Sequence, residues 1–279
     1  MVGCGLMGSG IAEVCARAGL DVLVREVTPE AAEAGRQRLV KSLDRGVSAG
    51  KLDEAGRDAA LAKLAFTTDL ADFGDRQLVV EAAIEDEASK VAIFEQLDKV
   101  VTADDAILAS NTSSIPIMKL GTVTGRPEQV LGIHFFNPVP VLKLVELVTS
   151  LMTSDTTRER AETFATDQLA KRVIRSQDRA GFVVNYLLIP YLLSAIRMLE
   201  SGFASADDID TGMVEGCSHP MGPLRLTDLI GLDTTLAVAE SLYEEFKEPL
   251  YAAPPLLNRM VEAGLLGRKT GRGFYNYSR

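Results

Sequence analysis

A glycine-rich turn near the start of the chain constrains its fold more than any other feature. Gly3-x-Gly5-x-x-Gly8 is followed by small and apolar residues at positions 11–18, which favour a short helix. In a strand-turn-helix unit, the first glycine makes the tight turn and the second lets the backbone approach a pyrophosphate. The third lets the helix pack closely. The pattern therefore predicts a dinucleotide-binding fold, with a purely structural glycine turn as the alternative.

An acidic residue follows this turn at the spacing that such a fold requires. Glu26 ends the next predicted strand, 18 positions after Gly8, and about 20 are expected for a carboxylate that binds the adenosine ribose. A carboxylate would repel a 2′-phosphate, so Glu26 favours NAD as the cofactor. Arg25 could pair with that phosphate, which keeps NADP open.

The strand that should precede the turn is short. Met1 and Val2 alone come before Gly3, whereas about five strand residues are expected there. We therefore expect the first strand to be largely missing, either because the natural start lies elsewhere or because the sheet is weakened at its middle.

The first half of the chain alternates short β-branched runs with amphipathic helical stretches, which predicts an α/β, Rossmann-like, mostly parallel sheet. The predicted strands are residues 21–24, 77–81, 106–109, 130–134, 142–149 and 172–175. The helices predicted among them are residues 28–45, 87–101 and 155–170, and Thr28 and Pro29 provide a start signal for the first.

Strand signals stop after Arg175. The segments 182–199, 206–214, 232–246 and 255–263 are helical in period or propensity and are separated by glycines and prolines. We therefore predict a sheet domain over residues 1–178 and an all-helical domain over residues 179–279.

Composition excludes several classes of partner. The 279 residues carry a net charge of −10, which argues against nucleic-acid or anionic-membrane surfaces, because both depend on a basic field. Three cysteines without a C-x-x-C pair favour neither disulfides nor a metal site and fit a reducing cytoplasm. The longest apolar stretch, residues 182–196, is interrupted by Asn185 and Pro190 and is too short to span a bilayer.

Two polar segments follow predicted strands of the sheet, where open α/β sheets bind ligands. One is Ser110-Asn111-Thr112-Ser113-Ser114, and the other begins at His134, one of only two histidines. Oxidation of a secondary alcohol requires a base near neutral pKa, and histidine supplies one. A satisfied core histidine is the structural alternative, and His219, in a predicted loop, has no signal of a catalytic role.

These segments, together with the strings Gly3–Ala12, His134–Pro140, Pro220–Pro223 and Lys269–Tyr275, resemble the 3-hydroxyacyl-CoA dehydrogenases, especially their short, single-function 3-hydroxybutyryl-CoA members. The resemblance covers essentially the whole chain. It implies an NAD-binding domain, an acyl-CoA substrate and a homodimer formed through the helical domain.

The resemblance also implies roles for individual residues. His134 would be the catalytic base, Glu146 would hold its far ring nitrogen, and Ser113 and Asn185 would bind the substrate's oxygen. A buried structural amide is the alternative for Asn185, and a solvated helix surface is the alternative for Lys90. The implied cofactor-binding residues are Gly3, Gly5, Leu6, Met7, Gly8, Glu26, Glu85, Lys90, Ser113, Asn137 and Lys269.

Coenzyme A carries phosphates that an acidic protein must bind locally. Over residues 36–51, five positive charges face one negative charge, Asp44; they are Arg36, Arg38, Lys41, Arg45 and Lys51. The resemblance implies that Ser42 and Lys51 contact coenzyme A, and an ordinary solvated helix face is the alternative.

Two other functions fit parts of the sequence. One is a 3-hydroxyacid dehydrogenase that acts on substrates without coenzyme A; such families generally use a lysine base, and the His134–Glu146 pair argues against it. The other is a non-enzymatic dinucleotide-binding protein, like the lens crystallin relative of the family.

Overall fold

The computed structural model of the chain describes residues 1–278. By internal contacts the chain divides into two units, Met1–Arg179 and Ala180–Arg279. The first unit has an α/β architecture and the second is helical, as the sequence predicted. Among residues 1–278, no helix combines the length and the apolar character needed to cross a membrane.

The first unit contains seven short strands and six helices of the α type within the described residues. The strands are β1 Val22–Arg25, β2 Leu64–Thr67, β3 Leu78–Glu81, β4 Ile107–Ser110, β5 Val130–Phe135, β6 Leu144–Thr149 and β7 Arg172–Gln177. The helices are α1 Leu6–Arg17, α2 Pro29–Ser48, α3 Glu54–Ala62, α4 Glu87–Val100, α5 Ile117–Thr122 and α6 Asp155–Thr163.

The sheet is mostly parallel. Strands β3 to β7 lie side by side in chain order, and β1 pairs with β2. Within these two groups, only the β5–β6 pair is antiparallel. The antiparallel pair forms because a short connection, residues 136–143, joins the two strands, whereas parallel neighbours need a longer crossover.

Two residues occupy the position of the first strand. Val2 forms parallel bridges to Arg25 of β1 and Glu81 of β3, and its N–H donates to the Val80 carbonyl at 2.9 Å. A groove of about 850 Å³ continues beyond them, lined by apolar side chains such as Ile11, Leu23 and Leu78. Val2 thus lies between β1 and β3, at the position of the central strand.

Local signals correctly placed most elements. Thr28 caps α2, its hydroxyl accepting the Ala31 N–H at 3.2 Å, and Pro29 is the first helical residue. Helices α3 and α5 and strand β2 were missed, because they are short, with nine, six and four residues, and so have little apolar periodicity. The predicted helix 155–170 ends at Thr163 and continues as a π-helical turn, Phe164–Gln168.

Over residues 180–278, the second unit contains five α-helices: α7 Val184–Glu200, α8 Ala206–Cys217, α9 Pro223–Ile230, α10 Leu232–Phe246 and α11 Pro255–Glu262. They pack around a buried apolar cluster that includes Leu193, Leu224 and Leu242. The C-terminal segment is tied to this unit by Asp228, whose carboxylate accepts the N–H groups of Phe274 and Tyr275 at 2.9 and 3.0 Å.

Candidate active site

The glycine turn has the geometry that a pyrophosphate-binding cradle requires. Gly3 has a φ of 87°, and a Cβ there would lie 2.7 Å from the Ala82 carbonyl oxygen. A Cβ on Gly8 would lie 2.1 Å from the Gly3 carbonyl oxygen, whereas a Cβ on Gly5 would meet open space. Gly3 and Gly8 are therefore required by packing, and Gly5 leaves the backbone open to a ligand.

The start of α1 supplies anion-binding groups at this cradle. The helix begins at Leu6, Gly5 provides no capping side chain, and the first turn has no acidic residue. The first N–H groups of such a helix lack intrahelical partners and favour negative charge. Leu6 is exposed, and Met7 is half-buried beside it. These groups fit the dinucleotide that the sequence predicted.

Glu26 lies against the same turn. Its carboxylate accepts the N–H of Cys4 and, at 3.2 Å, its neighbour Val27's N–H. Arg25 is directed elsewhere, since its Nε donates to the Thr68 carbonyl at 3.3 Å. The arginine at the turn is Arg38, whose Nη1 donates to the Cys4 carbonyl at 2.5 Å.

His134 lies between a hydroxyl and a carboxylate. Its Nε2 is 3.0 Å from Ser113 Oγ, and its Nδ1 is 2.7 Å from Glu146 Oε2. His134 and Glu146 are direct cross-strand partners of the antiparallel β5–β6 pair. Both are buried, with side-chain exposures of 6% and 0%.

This geometry assigns the proton positions on the ring. A carboxylate only accepts hydrogen bonds, so Nδ1 carries the proton that faces Glu146. Nε2 is then the basic nitrogen, and Ser113 Oγ donates to it. The arrangement can remove a proton from a hydroxyl that approaches Nε2, while Glu146 stabilises the imidazolium that forms.

Glu85 organises the turn that carries Ser113. Its Oε1 accepts the Thr112 hydroxyl, the Ser113 N–H at 2.9 Å and the Ser114 hydroxyl at 3.1 Å. Partial burial acts to raise the pKa of Glu85, but the Lys90 ammonium and these hydrogen bonds outweigh it, and the pKa lies below its ordinary value.

Lys90 is buried, contrary to the solvated surface considered from the sequence. Its side chain is 1% exposed, and Nζ lies 2.5 Å from Glu81 Oε1 and 3.3 Å from Glu85 Oε2. Lys90 lies one turn before Phe94 and two turns before Leu97 on the buried face of α4. The helical spacing could therefore have indicated its burial, but its charge favoured a surface position. Glu81 itself, completely buried at the end of β3, was not singled out from the sequence.

Two asparagines lie at the ends of β4 and β5. The predicted cofactor residue Asn137 is exposed and precedes Pro138 through a cis peptide bond. Asn111, missed from the sequence, accepts the Phe135 N–H on Oδ1 at 2.8 Å and so ties the two strand ends together. Its place in the polar Ser110–Ser114 segment could have indicated that it belongs to the site.

The predicted coenzyme A residues lie on and just after α2. Ser42 is half-buried, and Lys51 is exposed in the following loop. The basic stretch differs from the expectation in two ways: Arg38 contacts the glycine turn, and Asp44 is paired with Arg57 at 3.1 Å. The exposed positive charges that remain are Arg36, Lys41, Arg45 and Lys51.

The second unit carries two further predicted site residues. Asn185 lies in the first turn of α7 and is half-buried. Lys269 Nζ forms an ion pair with Asp233 Oδ2 at 2.5 Å, and their side chains are 46% and 39% exposed. His219 has Tyr191 as its partner, with the hydroxyl 3.1 Å from Nδ1. Among residues 1–278, no group of three metal-ligating side chains converges.

Known proteins resemble this chain along its whole length. The family model for the NAD binding domain of 3-hydroxyacyl-CoA dehydrogenase matches residues 1–179, and that for its C-terminal domain matches residues 181–277. A 3-hydroxybutyryl-CoA dehydrogenase of Mycobacterium tuberculosis is 63% identical over 277 residues, covering 99% of this chain and 97% of the relative.

Relatives with lower sequence identity belong to the same family. The crystal structure of (S)-3-hydroxybutyryl-CoA dehydrogenase PaaH1 from Ralstonia eutropha has a TM-score of 0.94 and 48% identity, covering 100% of this chain and 98% of its own. The human mitochondrial hydroxyacyl-coenzyme A dehydrogenase is 41% identical, covering 99% of this chain and 90% of the relative. The resemblance and the NAD cofactor inferred from the sequence motifs are confirmed: the chain belongs to the 3-hydroxyacyl-CoA dehydrogenase family.

Proposed function

We propose that this protein oxidises (S)-3-hydroxyacyl-CoA to 3-oxoacyl-CoA with NAD, and catalyses the reverse reaction, on short acyl chains such as 3-hydroxybutyryl-CoA. The observation that carries the proposal is the buried His134, with Glu146 on one ring nitrogen and Ser113 on the other. Relatives named as 3-hydroxybutyryl-CoA dehydrogenases support the short chain.

The protein's own residues handle the proton of the reaction. When bound, NAD accepts the hydride from the substrate's C3. His134 Nε2 removes the proton of the 3-hydroxyl, Ser113 Oγ hydrogen-bonds to the same oxygen, and Glu146 stabilises the imidazolium. In the reverse direction the imidazolium returns the proton to the oxygen as C3 receives hydride.

The remaining predicted residues bind the two large ligands. The turn Gly3, Gly5, Leu6, Met7 and Gly8 receives the NAD pyrophosphate, and Glu26 receives the adenosine ribose. Glu85, Asn137 and Lys269 complete the cofactor site. Asn185 binds the substrate's oxygen. Ser42 and Lys51, supported by the other exposed basic residues near α2, bind the coenzyme A phosphates by local rather than net charge.

The second unit is proposed to form a homodimer. Its surface exposes several large apolar side chains, including Leu187 at 66% and Phe203 at 79%. Exposed apolar groups of this size are typical of surfaces that another protein covers. We place the enzyme in the cytoplasm, where its cysteines stay reduced.

Replacement of His134 tests the proposal. His134→Gln should reduce turnover of acetoacetyl-CoA with NADH at least ~100-fold, the usual scale for an acid–base group, and NADH titration by fluorescence should show unchanged affinity. His219→Gln is the matched control and should retain activity. Near-normal turnover by His134→Gln would exclude the assignment.

Substrate comparisons separate this proposal from its alternatives. Rates with acetoacetyl-CoA should far exceed those with acetoacetate, and the opposite order would indicate a dehydrogenase of free 3-hydroxyacids. A wild-type protein that binds no NADH and reduces no 3-oxoacyl-CoA would favour a non-enzymatic role.

A further inference from the structure

A buried ion pair lies behind the turn that carries Ser113. Glu81 and Lys90 are 0% and 1% exposed at their side chains, and their charged atoms are 2.5 Å apart. Burying two charges is costly unless they are paired and their remaining hydrogen-bonding capacity is satisfied. Such a pair gives little net stability, so its place in the fold calls for another explanation.

Glu81 is fully satisfied and contacts the turn directly. Oε1 accepts the Ala83 N–H at 2.6 Å as well as Lys90, and Oε2 accepts the Ser110 hydroxyl at 2.6 Å. Ser110 Oγ in turn accepts the Thr112 N–H at 3.2 Å. Through its hydrogen bond with the Ser110 hydroxyl, Glu81 therefore fixes the start of the Ser110–Ser114 turn.

Lys90 transmits the same constraint to the other side of the turn. Its ammonium lies between Glu81 and Glu85, 3.3 Å from the latter, and so determines where the Glu85 carboxylate rests. Glu85 accepts the Ser113 N–H and the flanking hydroxyls of Thr112 and Ser114. Two chains of contacts thus begin at the Glu81–Lys90 pair and end at the residue that faces His134.

We propose that the Glu81–Lys90 pair is a positioning device that holds Ser113 Oγ against His134 Nε2. The proposal rests on the proposed function for its kinetic consequence. It gives Lys90 a role through Glu85 and Ser113, beside the cofactor-binding role that the family resemblance implies, because its ammonium is shared by the two carboxylates Glu81 and Glu85.

A double-mutant cycle tests this assignment. Glu81→Gln keeps the shape of the side chain but removes the charge that holds Lys90, and it should lower kcat about tenfold while the affinity for NADH changes less than about twofold. In the Ser113→Ala background the same substitution should cost less than about twofold, because effects that act through one residue are not additive.

Two further variants keep the test decisive. If Glu81→Gln folds poorly, the double variant Glu81→Gln/Lys90→Met removes both charges and leaves the summed charge of Glu81, Lys90 and Glu85 unchanged. It should show the same loss of kcat at saturating NADH. Asp98→Asn is the control. Asp98 also lies on α4, and this change breaks its half-buried ion pair with Arg126, so it should lower the stability of the protein without lowering kcat.

A spectroscopic measurement separates this proposal from the proposed function. The chain has two histidines, so the ring ¹⁵N signals of His134 can be assigned by comparison with His219→Gln. Glu81→Gln should shift the His134 Nε2 resonance in the same direction as Ser113→Ala. An unmoved resonance, an equal loss of kcat in both backgrounds, or a tenfold weaker affinity for NADH would each overturn the proposal, whatever the substrate proves to be.

Discussion

His134 and Glu146 face each other across the antiparallel β5–β6 pair, with Nδ1 2.7 Å from Oε2. The cross-strand register, rather than a flexible loop, thus sets the orientation of the imidazole. A carboxylate with 0% side-chain exposure has no freedom to relax into solvent.

Replacement of Glu146 should therefore impair catalysis through the ring's tautomer. In Glu146→Gln the amide group can donate to Nδ1, which would move the ring proton to Nε2 and remove the base. We expect kcat for acetoacetyl-CoA reduction to fall about 100-fold with NADH affinity unchanged. Glu162→Gln, which breaks the exposed pair with Arg175, is the control; equal activity of the two variants would contradict the assignment.

The depressed pKa of Glu85 predicts an acid-sensitive active-site turn. A carboxyl group whose pKa is lower in the folded than in the unfolded state contributes stability above its unfolded pKa, and loses it as pH falls through the folded value. The ordinary pKa of a glutamate is 4.5, so the contribution should begin to fall near pH 4.5 and be lost once the pH passes below the lower folded-state pKa. Urea unfolding as a function of pH measures this loss, and Glu85→Gln should flatten that part of the curve.

The three cysteines should differ sharply in reactivity. Burial raises the pKa of Cys4 from 9.0 to about 11 and that of Cys15 to about 12, whereas Cys217 is exposed. At pH 8 the thiolate fraction of Cys4 is then lowered about 100-fold. Iodoacetamide followed by peptide mass spectrometry should find Cys217 modified first, and rapid labelling of Cys4 would show that the glycine turn opens.

The sequence by itself determined the local elements and the ends of the strands. Glycine spacing, the Thr28–Pro29 start signal and β-branched runs depend on neighbours within a few residues. They therefore predicted the turn, the longer helices and the strand-end positions of Ser113 and His134 correctly. The pairing of His134 with Glu146 came from the family resemblance, since a separation of 12 residues has no geometric meaning until the register is known.

Only the tertiary structure decided which charges are buried and what they hold. Lys90 and Arg38 look like surface residues of their helices, yet one is enclosed with Glu81 and Glu85 and the other reaches the Cys4 carbonyl. From the sequence, Glu81 is only the last residue of a predicted strand. In the structure its carboxylate contacts Lys90, the Ala83 N–H and the Ser110 hydroxyl. Periodicity along the chain can indicate that Lys90 faces inward, but the partners that make its burial tolerable come from other elements, so only the packing reveals them.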